Sequence, residues 1–452
     1  MRGAEAALID SGIAEWELMQ RAGHGAADWI ARLAAGGPVT VLCGPGNNGG
    51  DGYVAAAALK ARGLPVRVVA PIEPKTDQAK RAAGTFDGAV SEHPGDAGGA
   101  VFVDAMFGIG LSRPVSDEHL KLIRTLHAAH ARSVAFDVPS GLDADAGSAP
   151  EGVPHFDLTL AFGAWKPAHF SGEALARVGA TRLVDIGVPD CGVTMHLVPS
   201  VTLAQPEFAA HKYSRGLVAV VGGEMPGAGL LAARACALAG AGYVKWLSEH
   251  DHPGHPPDLV RDEAPIADAL SDDRIDSILV GPGLGRGDGA RARLEVALGT
   301  KKALVLDADA LNLLRPDMFA KRDTANILLT PHEGELARLC DAFSVDGDTK
   351  RERAASLAQA SGCAVLAKGA DTLLAVGNEM SFFPPATRWL SIAGSGDVLA
   401  GISAARLAAT NDVMRATCEA VHLHARAARI VGPGFTAAML AEAVHPALAR
   451  FL

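Results

Sequence analysis

VTVLCGPGNNGGDGYVAAAALKAR, residues 39–62, runs from an apolar segment (39–43) through a glycine-rich loop (44–52) into the alanine-rich stretch Ala55–Arg62. An apolar run without polar alternation suits a strand buried on both faces, and a helix directly behind it suits the crossover of a parallel α/β sheet. The rhythm repeats outward through VRVVA (66–70), VFVDA (101–105), SVAFD (133–137) and LTLAF (158–162), with Leu120–His130 reading as another intervening helix. A polar, proline-bearing stretch from Pro189 to Arg215 interrupts it. The pattern restarts with LVAVVGG (217–223), SILVGPG (277–283), ALVLDAD (303–309), NILLTPH (326–332) and CAVLAKG (363–369), and a long helical stretch, Val398–Thr410, follows. The expectation is two α/β domains, 1–198 and 199–452. No repeat relates the halves, which reads as fusion and not duplication.

Composition agrees. The 452 residues are 49% hydrophobic and 20% charged, enough for more than one packed core and incompatible with a disordered chain. Aromatics are only 5% against 51 glycines, a balance that suits an α/β protein rich in strand–helix turns. A net charge of −10 argues against nucleic acid or an anionic membrane as a general partner. Any phosphate-bearing ligand must then be held by local amides and a few placed cations. The six cysteines include no CxxC pair, so neither a zinc site nor a disulfide scaffold is suggested and a reducing cytosol fits. The opening MRGAEAALIDSG lacks the apolar core of a signal peptide, and no stretch of about 20 predominantly apolar residues could span a bilayer. A cytoplasmic protein without a membrane partner is expected.

The loop GPGNNGGDG (44–52) follows a strand and opens a helix. Glycines there are expected to take positive φ and turn several amides toward one anion, aided by the partial positive charge of the helix N-terminus. It is not the dinucleotide fingerprint GxGxxG, because no acidic residue stands about 20 positions on, at the end of the second strand. A simple turn is the alternative, although two asparagines and an aspartate are costly in one. Asp104 and Asp137 end further strands, and ligands in open α/β sheets bind beyond the carboxyl ends of strands. Asp51, Asp104 and Asp137 are therefore expected to converge on one crevice. Each alone could equally be a cap or turn former.

In the second half, AGSGDVLAG (393–401) is the most telling stretch. A Gly-Ser-Gly loop ahead of a helix makes an anion hole. Asp397 at its rim is placed to take a proton from a hydroxyl attacking a phosphate. Lys368 and Thr372 flank a KG turn and could hold a nucleotide.

The segments ELMQRAG (17–23), GPGNNGGDG, VDAMFGIGL (103–111), DVPSGLDAD (137–145) and FGAWKP (162–167) together resemble the NAD(P)H-hydrate epimerases. The resemblance covers Ala4 to about Asp190 and implies a Rossmann-like, doubly wound domain. It implies that Asn47, Asn48, Gly49, Gly50 and Asp51, with Gly108, Ile109, Gly110, Leu111, Ser112, Arg113 and Pro114, hold the hydrated dinucleotide. Asp137 would be the acid/base. Lys166 would be a second catalytic group, or else a solvated loop lysine. Potassium would be bound by Asn48, Asp104 and Ser140, oxygen ligands that suit a hard cation.

From His211 onward, HKYSRG (211–216), MPGAG (225–229), GPGLG (281–285), LDADALN (306–312), LTPHEGE (329–335), KGADT (368–372) and AGSGDVLAG resemble the NAD(P)H-hydrate dehydratases. These share the GSGD loop with ribokinase-like kinases, which implies a ribokinase-like α/β domain. Ala228, Gly283, His332 and Asp397 would then meet the hydrate, with Asp397 as base. Lys368, Gly369, Ala370, Asp371, Thr372 and Gly396 would meet the adenine nucleotide. The implied co-substrate is ADP rather than ATP, with a magnesium ion, and members of the family suggest a homo-oligomer. His332 taken alone would be a turn histidine.

HEGEL (332–336) is not an HExxH zinc motif, because residue 336 is Leu. His250, His252 and His255 could chelate a metal, but they sit in a proline-rich loop without cysteine. The stretch Ala416–Arg429, with His422 and His424, reads as a packed amphipathic helix. Two rival readings stay open in the sequence: a small-molecule kinase in the second half, and a nucleotide- or partner-binding module in the first.

Overall fold

The computed structural model describes residues 2–110, 114–189, 192–249, 251–320 and 322–452. The predicted ligand residues Leu111, Ser112 and Arg113, and His250 of the histidine cluster, lie outside that set. The chain divides into two compact units, Met1–Val193 and Thr194–Leu452.

In the first unit, β1 (Val39–Cys43), β2 (Val66–Val69), β3 (Ala89–Ser91), β4 (Gly99–Ala105), β5 (His130–Phe136), β6 (Leu158–Phe162) and β7 (Ala180–Val184) form a parallel sheet. Its order is β3-β2-β1-β4-β5-β6-β7, so the chain reverses its direction of travel between β1 and β4. That reversal opens a crevice at the carboxyl ends of those two strands. Side chains alternate between two cores, as period-2 geometry requires. Val101, Val103 and Ala105 of β4 pack with Ala26, Ile30, Ala55 and Leu59 of the helices Glu15–Ala34 and Asn47–Ala61. Phe102 of the same strand points the other way and packs with Ile123 and Leu126 of the helix Asp117–Ala128.

In the second unit the sheet comprises β8 (Met195–Leu197), β9 (Leu217–Val221), β10 (Tyr243–Leu247), β11 (Val260–Asp262), β12 (Ile275–Val280), β13 (Ala303–Leu306), β14 (Ile327–Leu329), β15 (Ala364–Ala367), β16 (Leu373–Val376) and β17 (Glu379–Phe382). The order is β11-β10-β9-β12-β13-β14-β15-β16-β17-β8. It is parallel from β11 to β15 and then carries an antiparallel β16–β17 hairpin turned by Gly377 (φ 56°) and Asn378. Helices Pro226–Leu238, Ser395–Thr410, Val413–Val431 and Ala437–Leu448 contribute to one large apolar core. The division between units falls before the expected break at 198/199, because Met195–Leu197 adds in parallel to β17 and so belongs with the second sheet.

The ten apolar runs read from the sequence all coincide with strands, and both predicted helices of the first half begin earlier than expected. Sequence reading missed β3, β7, β8, β10, β11, β16 and β17. Three of these (β3, β8 and β11) are three residues long and at sheet edges, where solvent removes the demand for an apolar run. Among the described residues, no helix is long and apolar enough to cross a membrane.

Candidate functional site

The first-unit site lies at the carboxyl ends of β1, β4, β5 and β6. The helix after β1 starts at Asn47, inside the glycine-rich loop, and no side chain caps it at Gly46. The expectation of positive φ in this loop is corrected: none of its glycines adopts one. They are glycines for closeness instead. A Cβ on Gly44 would overlap the Met106 carbonyl oxygen, one on Gly49 would overlap the Gly44 carbonyl, and one on Gly52 would stand 2.7 Å from the Ala105 Cβ. The helix N-terminus is thereby drawn against the ends of β1 and β4, which is what aims its first amides into the crevice.

Asn47 and Asn48 differ sharply. The Asn47 amide donates to Glu15 Oε1 (3.0 Å), and its carbonyl accepts from Thr76 Oγ1 (2.7 Å), so its side chain ties neighbouring elements together. Asn48 leaves its Nδ2 buried without a partner and its Oδ1 at Gly108, where a Cβ would stand 3.3 Å away. Asp51 is half-buried in the second turn of the same helix.

Asp104 is fully buried at the end of β4. Ser140 Oγ donates to its Oδ1 (2.7 Å), and the Ser140 and Met106 amides donate to Oδ2 (2.9 Å) and Oδ1 (3.2 Å). Burial pushes its pKa up, opposed by these hydrogen bonds. Ser140 Oγ also accepts from the Phe107 amide at 2.9 Å. Asn48, Asp104 and Ser140 are thus brought to one rim around Phe107–Gly108. Asp104 and Ser140 offer a buried carboxylate and a hydroxyl there, whereas the atom that Asn48 leaves unpaired is its Nδ2, a hydrogen-bond donor.

Asp137 follows β5 with φ +62°, a left-handed conformation that costs a non-glycine residue about 1 kcal/mol. Its Oδ1 is ion-paired with Lys166 Nζ, which also donates to the Phe162 carbonyl (2.9 Å). Lys166 is 6% exposed, which removes the alternative of a solvated loop lysine. Oδ2 of Asp137 remains on the side of Gly108, where a Cβ would stand 3.4 Å from it. A residue that sequence reading missed is His169, 1% exposed, whose Nε2 lies 2.6 Å from the Asp137 carbonyl oxygen. Its spacing from Lys166 was visible, but nothing in the sequence marked the imidazole as aimed at Asp137.

In the second unit the predicted residues arrive from the carboxyl ends of four strands and one helix N-terminus. Ala228 is in the first turn of the helix after β9. Gly283, after β12, takes φ +68°, and the Met225 amide donates to its carbonyl at 2.9 Å, which brings it beside Ala228. A Cβ on Gly283 would overlap the Met225 carbonyl oxygen. His332, after β14, caps the helix Glu333–Phe343: its Nδ1 accepts from Gly334 N (3.0 Å) and Glu335 N (3.3 Å). The turn-histidine role is therefore real, and the ring's other nitrogen, Nε2, lies 3.5 Å from Glu335 Oε1.

Asp397 stands in the first turn of the helix Ser395–Thr410, behind Gly394 at φ +85° and without a side-chain cap. Its carboxylate makes no hydrogen bond or ion pair with another described residue. Its pKa is pushed up to about 7, chiefly by burial, then by the negative charge of Asp307, while Lys368 pulls it down. Lys368, after β15, donates to Asp307 Oδ1 (2.6 Å), which also accepts from Thr330 Oγ1 (2.8 Å). A Cβ on Gly396 would stand 3.2 Å from Lys368 Nζ, so this buried ion pair underlies the GSGD loop. Lys350 holds the KGADT turn: its Nζ donates to the Lys368 carbonyl (3.0 Å), the Asp371 carbonyl (3.1 Å) and Asp371 Oδ1 (2.7 Å). Thr372 Oγ1 closes that turn on the Gly369 carbonyl at 2.9 Å, with Ala370 at its tip.

Sequence reading missed Asp307, Asp309 and Lys350. LDADALN stands out in the sequence as a motif, but only the fold makes Ala308 left-handed (φ +48°), with Asp309 accepting from Gly285 N at 3.0 Å. His424 is buried in the helix Val413–Val431 as expected, and its Nε2 lies 3.0 Å from the Ser395 carbonyl oxygen, bracing the GSGD loop. Among the described residues no group of His, Cys, Asp and Glu could hold a metal ion. His252 accepts from Gly254 N (3.0 Å), and His255 stacks on Trp246 with ring centroids 5.7 Å apart.

A family profile described as NAD(P)H-hydrate dehydratase matches residues 218–450, and one described as YjeF-related protein N-terminus matches residues 15–168. The bifunctional NAD(P)H-hydrate repair enzyme of Mycobacterium leprae (strain TN) is 34% identical over 96% of this chain and 94% of its own. The enzyme of the same name from Coxiella burnetii (strain RSA 493 / Nine Mile phase I) is 32% identical over 99% and 97%. Among solved structures, a ribokinase-like superfamily protein of Enterococcus faecalis V583 superposes with a TM-score of 0.51 at 21% identity, covering 57% of this chain and 96% of that one. At that identity the likeness speaks for the fold of the second unit.

Proposed function

This chain belongs to the bifunctional NAD(P)H-hydrate repair enzymes, and from that premise we propose a division of labour between its two units. The enzyme is an epimerase fused to a dehydratase. The first unit interconverts the R and S hydrates of NADH and NADPH, and the second dehydrates the S form. ADP is the phosphoryl donor in this reading, released as AMP and phosphate. Substrates of this kind and ADP suit a cytoplasmic location. A homo-oligomer is retained from the resemblance alone.

Inverting the hydroxyl-bearing carbon requires the hydroxyl to leave with a proton, pushed by the ring nitrogen, and water to return on the other face with loss of a proton. Asp137 and Lys166 form an acid/base couple for these transfers: Oδ1 is held by the ammonium while Oδ2 faces the Gly108 side. Asn48, Asp104 and Ser140 would hold potassium, which supplies a fixed positive charge to the loops that receive the dinucleotide.

In the second unit, Asp397 takes the proton of the substrate hydroxyl as that oxygen attacks the terminal phosphorus of ADP and AMP departs. The ring nitrogen then expels phosphate, and loss of a carbon-bound proton restores the dihydropyridine. The helix N-terminus at Gly394–Gly396 and Lys368 offset negative charge on the phosphates. Magnesium would travel on those phosphates, since it favours phosphate oxygens and its own waters over an all-protein cage. The observation that carries this reading is Asp397 itself, a carboxylate that bonds to no other described residue, at an uncapped helix start and poised near neutrality. The competing kinase reading predicts a stable phosphorylated product instead.

A mixture of R and S NADH hydrates with ADP and magnesium tests the whole proposal. Complete return of reduced-nicotinamide absorbance is expected, and no return with either ADP or ATP would exclude the dehydratase assignment. The pH dependence follows from Asp397. As a base it works ionised, so kcat/KM for dehydration, which reports the free enzyme, should rise with pH through about 7. Removing the charge of Asp307, the largest charged contributor to that elevation, should move the limb to lower pH in Asp307→Asn. A limb left in place, measured with saturating ADP, would mean that another group titrates.

A further inference from the structure

We infer that His169 is a positioning residue for epimerisation, a single imidazole that ties the backbone of Asp137 to the backbone of Lys166 and so sets the geometry of that pair. The inference rests on Asp137 and Lys166 acting as proposed above. Two loops meet at this ring. The Lys166 amide donates to His169 Nδ1 at 3.0 Å, so Nδ1 carries no proton. Nε2 lies 2.6 Å from the Asp137 carbonyl oxygen, which can only accept, so Nε2 carries the hydrogen. Both ring nitrogens are spent on main chain, and neither is left to exchange protons with a ligand.

The surroundings hold the ring in that state. His169 is 1% exposed, and Trp165 and Phe170 stand edge-on to it with centroids 5.6 and 6.2 Å away. Its pKa falls to about 4, mainly through burial and then the Lys166 charge, so the ring stays neutral wherever the enzyme works. Asp137 sits at φ +62°, a conformation that persists only where the surroundings impose it. Its amide is held by the Leu160 carbonyl (2.8 Å), its carboxylate by Lys166 and its carbonyl by His169. Loss of the last restraint frees the peptide after Asp137 to rotate. Displacement of a reacting group by about 1 Å costs up to about 100-fold in rate.

The test compares His169→Ala and His169→Gln in the full-length enzyme, with enzyme concentration calibrated by its own dehydratase activity. His169→Ala should lower the kcat of epimerisation about 30-fold, within the range for misplaced groups, and leave KM for the hydrate nearly unchanged. Gln, whose amide can still donate to the Asp137 carbonyl, should restore most of kcat. The ratio of wild-type to variant kcat should be flat from pH 6 to pH 8. In the unsubstituted enzyme, ¹⁵N spectra should show His169 as the neutral Nε2–H tautomer across that range, a readout that does not depend on any variant folding. Full kcat in His169→Ala would overturn the inference. So would equal losses in both variants with circular dichroism unchanged, or a rate ratio that titrates, which would mean that the ring itself moves protons. Asp137→Asn distinguishes the two layers. If it stays fully active the acid/base reading fails, whereas a dead Asp137→Asn beside a fully active His169→Ala removes only the role of His169.

Discussion

Asp397→Asn should lower kcat/KM for dehydration about 1000-fold while epimerisation proceeds at its normal rate. The size follows from what the carboxylate does: without a base at the hydroxyl, the oxygen must attack phosphorus while still holding its proton. The remaining rate would come from the helix N-terminus, Lys368 and simple juxtaposition of the two substrates. Asparagine is the right probe because it is isosteric and because no described residue bonds to the Asp397 carboxylate, so no buried group is orphaned. The effect on stability has the opposite sign. The pKa of Asp397 is raised to about 7 on folding, so the folded state binds its proton more tightly than the unfolded chain. Stability from this group is therefore present at low pH and lost as pH rises through about 7. At pH 8, Asp397→Asn should unfold at the same temperature as wild type or higher. A catalytic collapse accompanied by a lower melting temperature would mean that the residue holds the loop and does not serve as base.

Asp137→Asn should lower the epimerisation rate by about 1000-fold and leave dehydration of the pure S hydrate within about twofold of wild type. Asparagine tolerates the left-handed conformation at φ +62° better than alanine, so the substitution tests chemistry more than backbone strain. It does leave the Lys166 ammonium buried without its counter-charge, which is costly. Asp137→Asn/Lys166→Met removes both charges and separates the two effects: epimerisation should stay lost while the fold recovers. With a mixed-epimer substrate, Asp137→Asn should recover absorbance quickly until the S form is consumed and then only at the spontaneous rate. Uninterrupted recovery would mean that Asp137 takes no part in epimerisation.

The sites were legible unevenly, for physical reasons. Asp104, Asp137, Lys368 and Asp397 stand at the ends of apolar strands or the start of a helix, where period and punctuation point to them in the sequence. Their partners carry no such mark. His169 reaches Asp137 across 32 residues and Lys368 reaches Asp307 across 61. Lys350 looks like an ordinary helix-start lysine until the KGADT turn folds back onto its ammonium. The glycine loop was recognised as special for the wrong reason: its glycines serve close approach, as with Gly49 against the Gly44 carbonyl, and not positive φ.

By itself the sequence determined the α/β class, the two-part organisation, the strand that each loop follows, and the carboxylates that end them. These are local matters, set by hydrophobic period, by chain breaks and by which residue types can close a turn. Tertiary structure alone decided the strand orders, and with them which loops share a crevice. It also decided that Lys166 is buried against Asp137, that the pKa of Asp397 rises to about 7, and that a buried imidazole braces each site. Those properties depend on desolvation and on contacts between distant segments, and neither exists until the sheets have formed.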